Sequence, residues 1–172
     1  DGWAIAPDVK VTRFDHGTRT LAGVYGGWVT DNKLMVGGAG YWLTDPSRTR
    51  KLSYGGALVE WRDGTDRTIG FSVKGLLGVG TATASRTVML AGLDRDQRMP
   101  PAPTSLRSTS LAFRQEFFVA EPQADLLVNV APRIRLHVGG GYRAVAGAEG
   151  LGPEIRGATG SVSLEIGPRS RP

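Results

Sequence analysis

With two histidines and no cysteine, this 172-residue chain has few groups suited to catalysis or metal binding. Disulfides and thiolate metal sites are excluded outright. The reactive side chains concentrate in residues 133–147, RIRLHVGGGYRAVAG. There Arg135, His137 and Arg143 share one parity, and Ile134, Leu136, Val138 and Tyr142 take the other. Two guanidinium groups and an imidazole on one face can contact an anion; they can equally be members of a satisfied interior network. Lys74, Arg114, Glu116 and Glu165 are expected to join them, because opposite charges in a confined interior must pair. No catalytic residue, metal or cofactor is expected. The glycine runs GGAG at 37–40 and GLLGVG at 75–80 mimic phosphate loops, but no helix follows either and no Lys-Ser/Thr closes them. Asp94 and Asp96 lack the remaining ligands of a calcium loop. Ser110, Asp125 and His137 make a triad only if geometry is ignored.

The elements that must position these groups are strands. Alternation of large apolar with polar or small residues is period two. It recurs in residues 8–14, 19–30, 33–44, 51–62, 67–81, 111–130, 133–147 and 156–166. Turn signals separate them at Asp15-His16-Gly17, Asp31-Asn32, Asp63-Gly64-Thr65-Asp66 and Ala131-Pro132-Arg133. In 111–130 the apolar parity is odd before Pro122 (Phe113, Phe117, Val119) and even after it (Ala124, Leu126, Val128, Val130). That switch, at a residue without an N–H, predicts a bulge near Glu121-Pro122. Residues 1–7 read as an N-terminal tail whose Trp3 and Ile5 either strap onto the domain or dock on a partner. Residues 86–110 read as one long loop and 167–172 as a polar C-terminal tail. No amphipathic helix is present. Eight consecutive strands with mostly short turns predict one all-β domain over 1–172, an antiparallel up-and-down barrel with no open edge. Runs of about 12 residues, tilted ~40°, rise roughly 30 Å, the thickness of a bilayer's hydrocarbon.

Composition constrains the setting. Glycine supplies 25 of 172 residues, about twice the usual share of ~7%, as tight turns and close strand approach require. The net charge of +5 is spread along the chain, so no nucleic-acid stripe is expected. No apolar run is long enough for a membrane-spanning helix. The chain begins at Asp1 without Met, and the expectation is an exported protein whose secretory signal peptide has been removed.

Alternation alone does not say which face points inward. A soluble calyx would enclose its apolar face around a hydrophobic ligand, a lipid or pigment; a membrane barrel would turn that face outward. Side-chain size favours the second, because the polar face is rich in Gly, Ser and Thr around Ser72, Gly139 and Ser161, which suits a narrow eight-stranded interior. The apolar faces of the strands at 67, 134 and 156 also carry no charge mid-strand.

The succession GVYGGWVTDNKLMVGGAGYWL, LSYGGALVEW and FFVAEPQADLLVNVAPRIRLHVGGGYR resembles small uncharacterised outer-membrane-type eight-stranded β-barrel proteins of Gram-negative bacteria, over residues 18–166. The resemblance implies a non-enzymatic cell-envelope protein with a structural or interaction role, in the outer membrane. Such barrels usually end on an aromatic residue, whereas this chain ends in GPRSRP. The alternative is therefore a periplasmic accessory subunit docked on a larger membrane protein complex.

Overall fold

In the computed structural model the described residues are 1–14, 17–44, 50–65, 67–89, 108–147 and 156–168. Side chains are described for all of these except 14, 50, 84–89 and 108–113. Period-two alternation becomes eight strands: β1 (Gly2–Phe14), β2 (Gly17–Thr30), β3 (Leu34–Leu43), β4 (Arg50–Asp63), β5 (Ile69–Met89), β6 (Ser108–Ala131), β7 (Ile134–Ala146) and β8 (Gly157–Ile166). Each pairs antiparallel with its chain neighbour, and β1 pairs β8 through Ile5↔Ile166, Val9↔Val162 and Thr12↔Thr159, so the sheet closes on itself. Closure satisfies both edges that an open sheet would expose.

The turn chemistry is as the residue types require. Asp31 and Asn32 adopt φ of 53° and 55° between β2 and β3, and Gly64 takes φ 68° after β4. These left-handed conformations are the ones short hairpins need and Asn, Asp and Gly tolerate. The start of β1, the end of β8 and the connections at 31–33, 64–68 and 132–133 lie at one end of the barrel, here the turn end. The opposite, loop end carries the connections at 15–16, 44–49, 90–107 and 147–156.

Three expectations are corrected. Residues 2–7 are not a tail: they form the first half of β1, paired from Gly2↔Val29 to Pro7↔Val24. Trp3 and Ile5 stand on the outer wall of this strand. The 86–110 segment is not all loop, since Arg86↔Leu111 to Met89↔Ser108 extend the β5–β6 hairpin; residues 90–107 lie outside the described residues. No bulge occurs at Glu121-Pro122. The β5–β6 ladder runs through Gly75↔Pro122, and the β6–β7 ladder skips 121 and 122 but resumes in the same register at Gln123↔Gly141. The register shifts instead between Asn129 and Ala131. The apolar parity changes at Pro122 because the interior itself changes, from Phe117 and Val119 to Glu121, Gln123 and Asp125, all on the inner face.

Candidate functional site

Alternation places every odd residue of β1 and even residue of β2 and β3 on the outer wall, so the opposite parity fills the lumen. The inner face is ionic. Buried there are five cations, Lys10, Arg62, Lys74, Arg135 and Arg143, and five carboxylates, Asp8, Glu60, Glu121, Asp125 and Glu165. Among the described residues the five cations and the five carboxylates balance.

At the turn end Arg62 organises the lowest layer. Its Nη1 donates to Glu165 Oε1 at 2.9 Å, and its Nη2 reaches Glu165 Oε2 at 2.5 Å and Glu60 Oε2 at 2.8 Å. Arg135 faces Glu165 at 3.5 Å and donates from Nε to Asn129 Oδ1 at 2.8 Å. His137 sits between the two carboxylates, 3.6 Å from Glu60 Oε1 and 3.5 Å from Glu165 Oε2, with Tyr25 OH 3.3 Å from its Nδ1. In the middle layer Lys74 Nζ lies 2.8 Å from Asp125 Oδ2 and 4.4 Å from the centre of the Tyr25 ring. Gln123 donates to Asp125 Oδ1 at 2.8 Å and also to Ser161. Tyr41 OH donates to Asp8 Oδ2 at 2.9 Å.

Glu121 holds the third layer. It accepts from Lys10, from Arg143 Nε at 2.9 Å and from Tyr54 OH at 3.1 Å. Arg143 Nη2 donates to Tyr54 OH at 2.8 Å, and the Tyr41 and Tyr54 rings stack with centroids 5.2 Å apart. Inner glycines make room for these rings: a Cβ on Gly23 would stand 2.1 Å from Tyr41 Cδ1. Above them Leu21, Leu52, Phe117, Val119 and Val145 form an apolar plug toward the loop end. The low dielectric there strengthens each pair below and raises the cost of leaving one unmade.

Of the residues singled out from sequence, Lys74, Arg135, His137, Arg143 and Glu165 lie in this network. Arg114 and Glu116 do not: both are exposed on the outer wall of β6, since Phe117 and Val119 set its inner parity. Asp8, Lys10, Glu60, Arg62, Glu121 and Gln123 went unassigned, although Glu60 and Arg62 alternate visibly with Val59 and Trp61. Glu60, Asp125 and His137 each offer one ligand atom, all within 4.8 Å of one another, a grouping of metal-binding size. Lys74 and Arg62, however, already neutralise Asp125 and Glu60 from 2.8 Å each. The calyx reading is overturned as well, because the enclosed face is charged and the large apolar side chains point outward.

That outer wall is apolar on all eight strands. Between Asp63 at the turn end and Lys51 at the loop end, β4 presents Ser53, Gly55, Ala57, Val59 and Trp61. This is twelve residue steps, or roughly 30 Å at a tilt of ~40°. β1 presents Trp3, Ile5, Pro7, Val9 and Val11 before reaching Arg13, and β8 presents Ile166, Leu164, Val162, Gly160 and Ala158 before reaching Arg156. Aromatic side chains edge the belt: Trp3 with Trp28 at 5.5 Å and Trp61 with Phe71 at 5.6 Å toward the turn end, and Trp42, Phe118 and Tyr142 toward the loop end.

No protein family matches the sequence, and no curated protein does. Solved structures match the fold. Neisserial surface protein A aligns at 12% identity and TM-score 0.57, covering 96% of this chain and 95% of that one. The N-terminal β-barrel domain of Pseudomonas aeruginosa OprF aligns at 9% identity and TM-score 0.59, covering 97% and 99%. The chain has the fold of these eight-stranded barrels.

Proposed function

We propose that the protein is an exported, non-enzymatic barrel of the Gram-negative outer membrane, with a structural or interaction role exercised at its loop end. One observation carries this reading: among the described residues, a belt free of charged side chains surrounds a lumen whose charges are paired internally. A soluble protein would have the two faces exchanged, and a charge on the belt at mid-membrane would cost ~2–4 kcal/mol. The aromatic edges of the belt support the same placement, because such rings collect at membrane interfaces. Only short turns at one end, and the three longest connections, 44–49, 90–107 and 147–156, at the other, fit the periplasmic and extracellular sides respectively. The internally paired lumen suits an anchor rather than a pore or a reaction chamber.

The test is refolding of urea-denatured chain into phosphatidylcholine vesicles, followed by electrophoresis with and without boiling. The reading expects a folded band that shifts on heating and stays with the vesicles. A stable monomer in buffer without detergent or lipid would overturn it.

A further inference from the structure

The outer wall of β4, β5 and β6 near the loop end has an organisation that an apolar belt alone does not require. Lys51 pairs with Thr83, and Thr83 with Arg114, so the three form one cross-strand row facing outward. Neighbouring strands are ~4.8 Å apart, which sets the two cationic residues about 10 Å from each other across the threonine. The next row toward the turn end is Ser53, Thr81 and Glu116, with the two hydroxyls 3.3 Å apart. Below it the chemistry turns apolar, with Gly55, Val79 and Phe118.

Beneath the hydroxyls runs a trough of about 700 Å³ between Trp42 and Phe118, which are 50% and 67% exposed. Gly40 and Gly55 lower its floor; a Cβ on Gly40 would meet nothing within 4 Å. Hydrocarbon-lined below and lipped with an ammonium, a guanidinium and hydroxyls above, the site matches an amphiphile with an acyl chain and an anionic head. Glu116, at the level of the hydroxyls, offsets one of the two cations and leaves the other in excess. Among the described residues, neither Lys51 nor Arg114 is held in an ion pair.

We propose that this wall binds a membrane lipid with a phosphate headgroup, the phosphate held by Lys51, Thr83 and Arg114 and one acyl chain laid between Trp42 and Phe118. The guanidinium supplies paired donors to phosphate oxygens, and the ammonium supplies a point charge. This inference rests on the membrane reading above and gives one part of the loop-end rim a defined ligand class.

The experiment uses the full chain folded in zwitterionic micelles, each variant first checked for the heat-dependent band shift. Failure of that check therefore registers against the membrane reading and not against the lipid site. Native mass spectrometry then compares retention of phosphatidylglycerol with that of phosphatidylcholine. The protein should retain phosphatidylglycerol roughly fivefold better, from the one basic charge left in excess close to the headgroup. K51Q/R114Q should abolish the preference, whereas R13Q/R156Q, which removes two outward cations from β1 and from the residue preceding β8, should keep it. Inorganic phosphate should fail to displace the lipid, because the acyl chain contributes. Equal retention of the two lipids, an equal loss in R13Q/R156Q, or full displacement by inorganic phosphate would each overturn the proposal.

Discussion

Replacing Glu121 by Leu tests whether the lumen excludes water. This carboxylate is 2% exposed and is the common acceptor for Lys10, Arg143 and Tyr54 OH. Its loss leaves an ammonium and a guanidinium buried and short of a counter-charge, and breaking a buried pair from one side costs ~3–5 kcal/mol. At a urea slope of ~2 kcal/mol per M, the unfolding midpoint should fall by about 2 M. K10M alone should be damaging in the opposite sense, leaving one carboxylate in excess. The K10M/E121L pair restores neutrality while Arg143 keeps Tyr54 OH at 2.8 Å. The double variant should therefore lose less than the sum of the singles, by ~1–3 kcal/mol of coupling. Urea unfolding from phosphatidylcholine vesicles provides the assay. It can be followed by tryptophan emission, since Trp3, Trp28, Trp42 and Trp61 all lie on the outer wall. A loss below ~1 kcal/mol for E121L, with additive singles, would refute the reasoning and mean that water solvates these charges.

Other substitutions probe the turns, the inner glycines and the belt by the same unfolding measurement. N32V puts a β-branched side chain at φ 55° and should cost ~1–2 kcal/mol, while N32G should be nearly neutral. G23A drives a Cβ into Tyr41 and within 2.6 Å of the Gly40 carbonyl, and should cost ~1–3 kcal/mol; G40A, which points into open space, should stay within ~0.5 kcal/mol. L77R, at mid-belt on β5 where Leu77 is 68% exposed, should cost ~2–4 kcal/mol, against ~0–1 kcal/mol for T20R near the loop end.

The strand alternation, the Asp31-Asn32 turn and the inward aim of Arg135, His137 and Arg143 were legible because each is a local property. Side-chain period, tolerance of positive φ and parity within one strand need no knowledge of neighbours. The layers of the lumen were not legible in the same way. Glu121 meets Lys10 across 111 positions of sequence, and only closure of β1 onto β8 and the register of β6 bring them together. The change in character at Pro122 reads as a bulge only if the inner face of β6 is uniform, whereas that face passes from Phe117 and Val119 to Glu121, Gln123 and Asp125.

Two prolines lie within strands, Pro7 in the segment read as a tail and Pro122 at the predicted bulge. In both strands the ladder on one side continues through the proline, to Val24 and Gly75 respectively. On the other side both ladders lack partners at the proline and resume in register, at Asp8↔Ser163 and Gln123↔Gly141. A missing N–H thus interrupts one neighbour's ladder without moving the chain. Arg114 and Glu116 are expected inward because opposite charges in a confined interior must pair. They stand where the belt ends, so their strand position carries no burial cost.

The central claim is that hydrocarbon, rather than water, covers the outer wall. Its most direct test is quenching of tryptophan emission in vesicles of phosphatidylcholine brominated along the acyl chains, with aqueous iodide as the competing quencher. Trp3, Trp28 and Trp61 near one edge of the belt and Trp42 near the other should all be quenched by the brominated lipid and largely spared by iodide. Strong iodide quenching with no effect of the bromines would contradict the account.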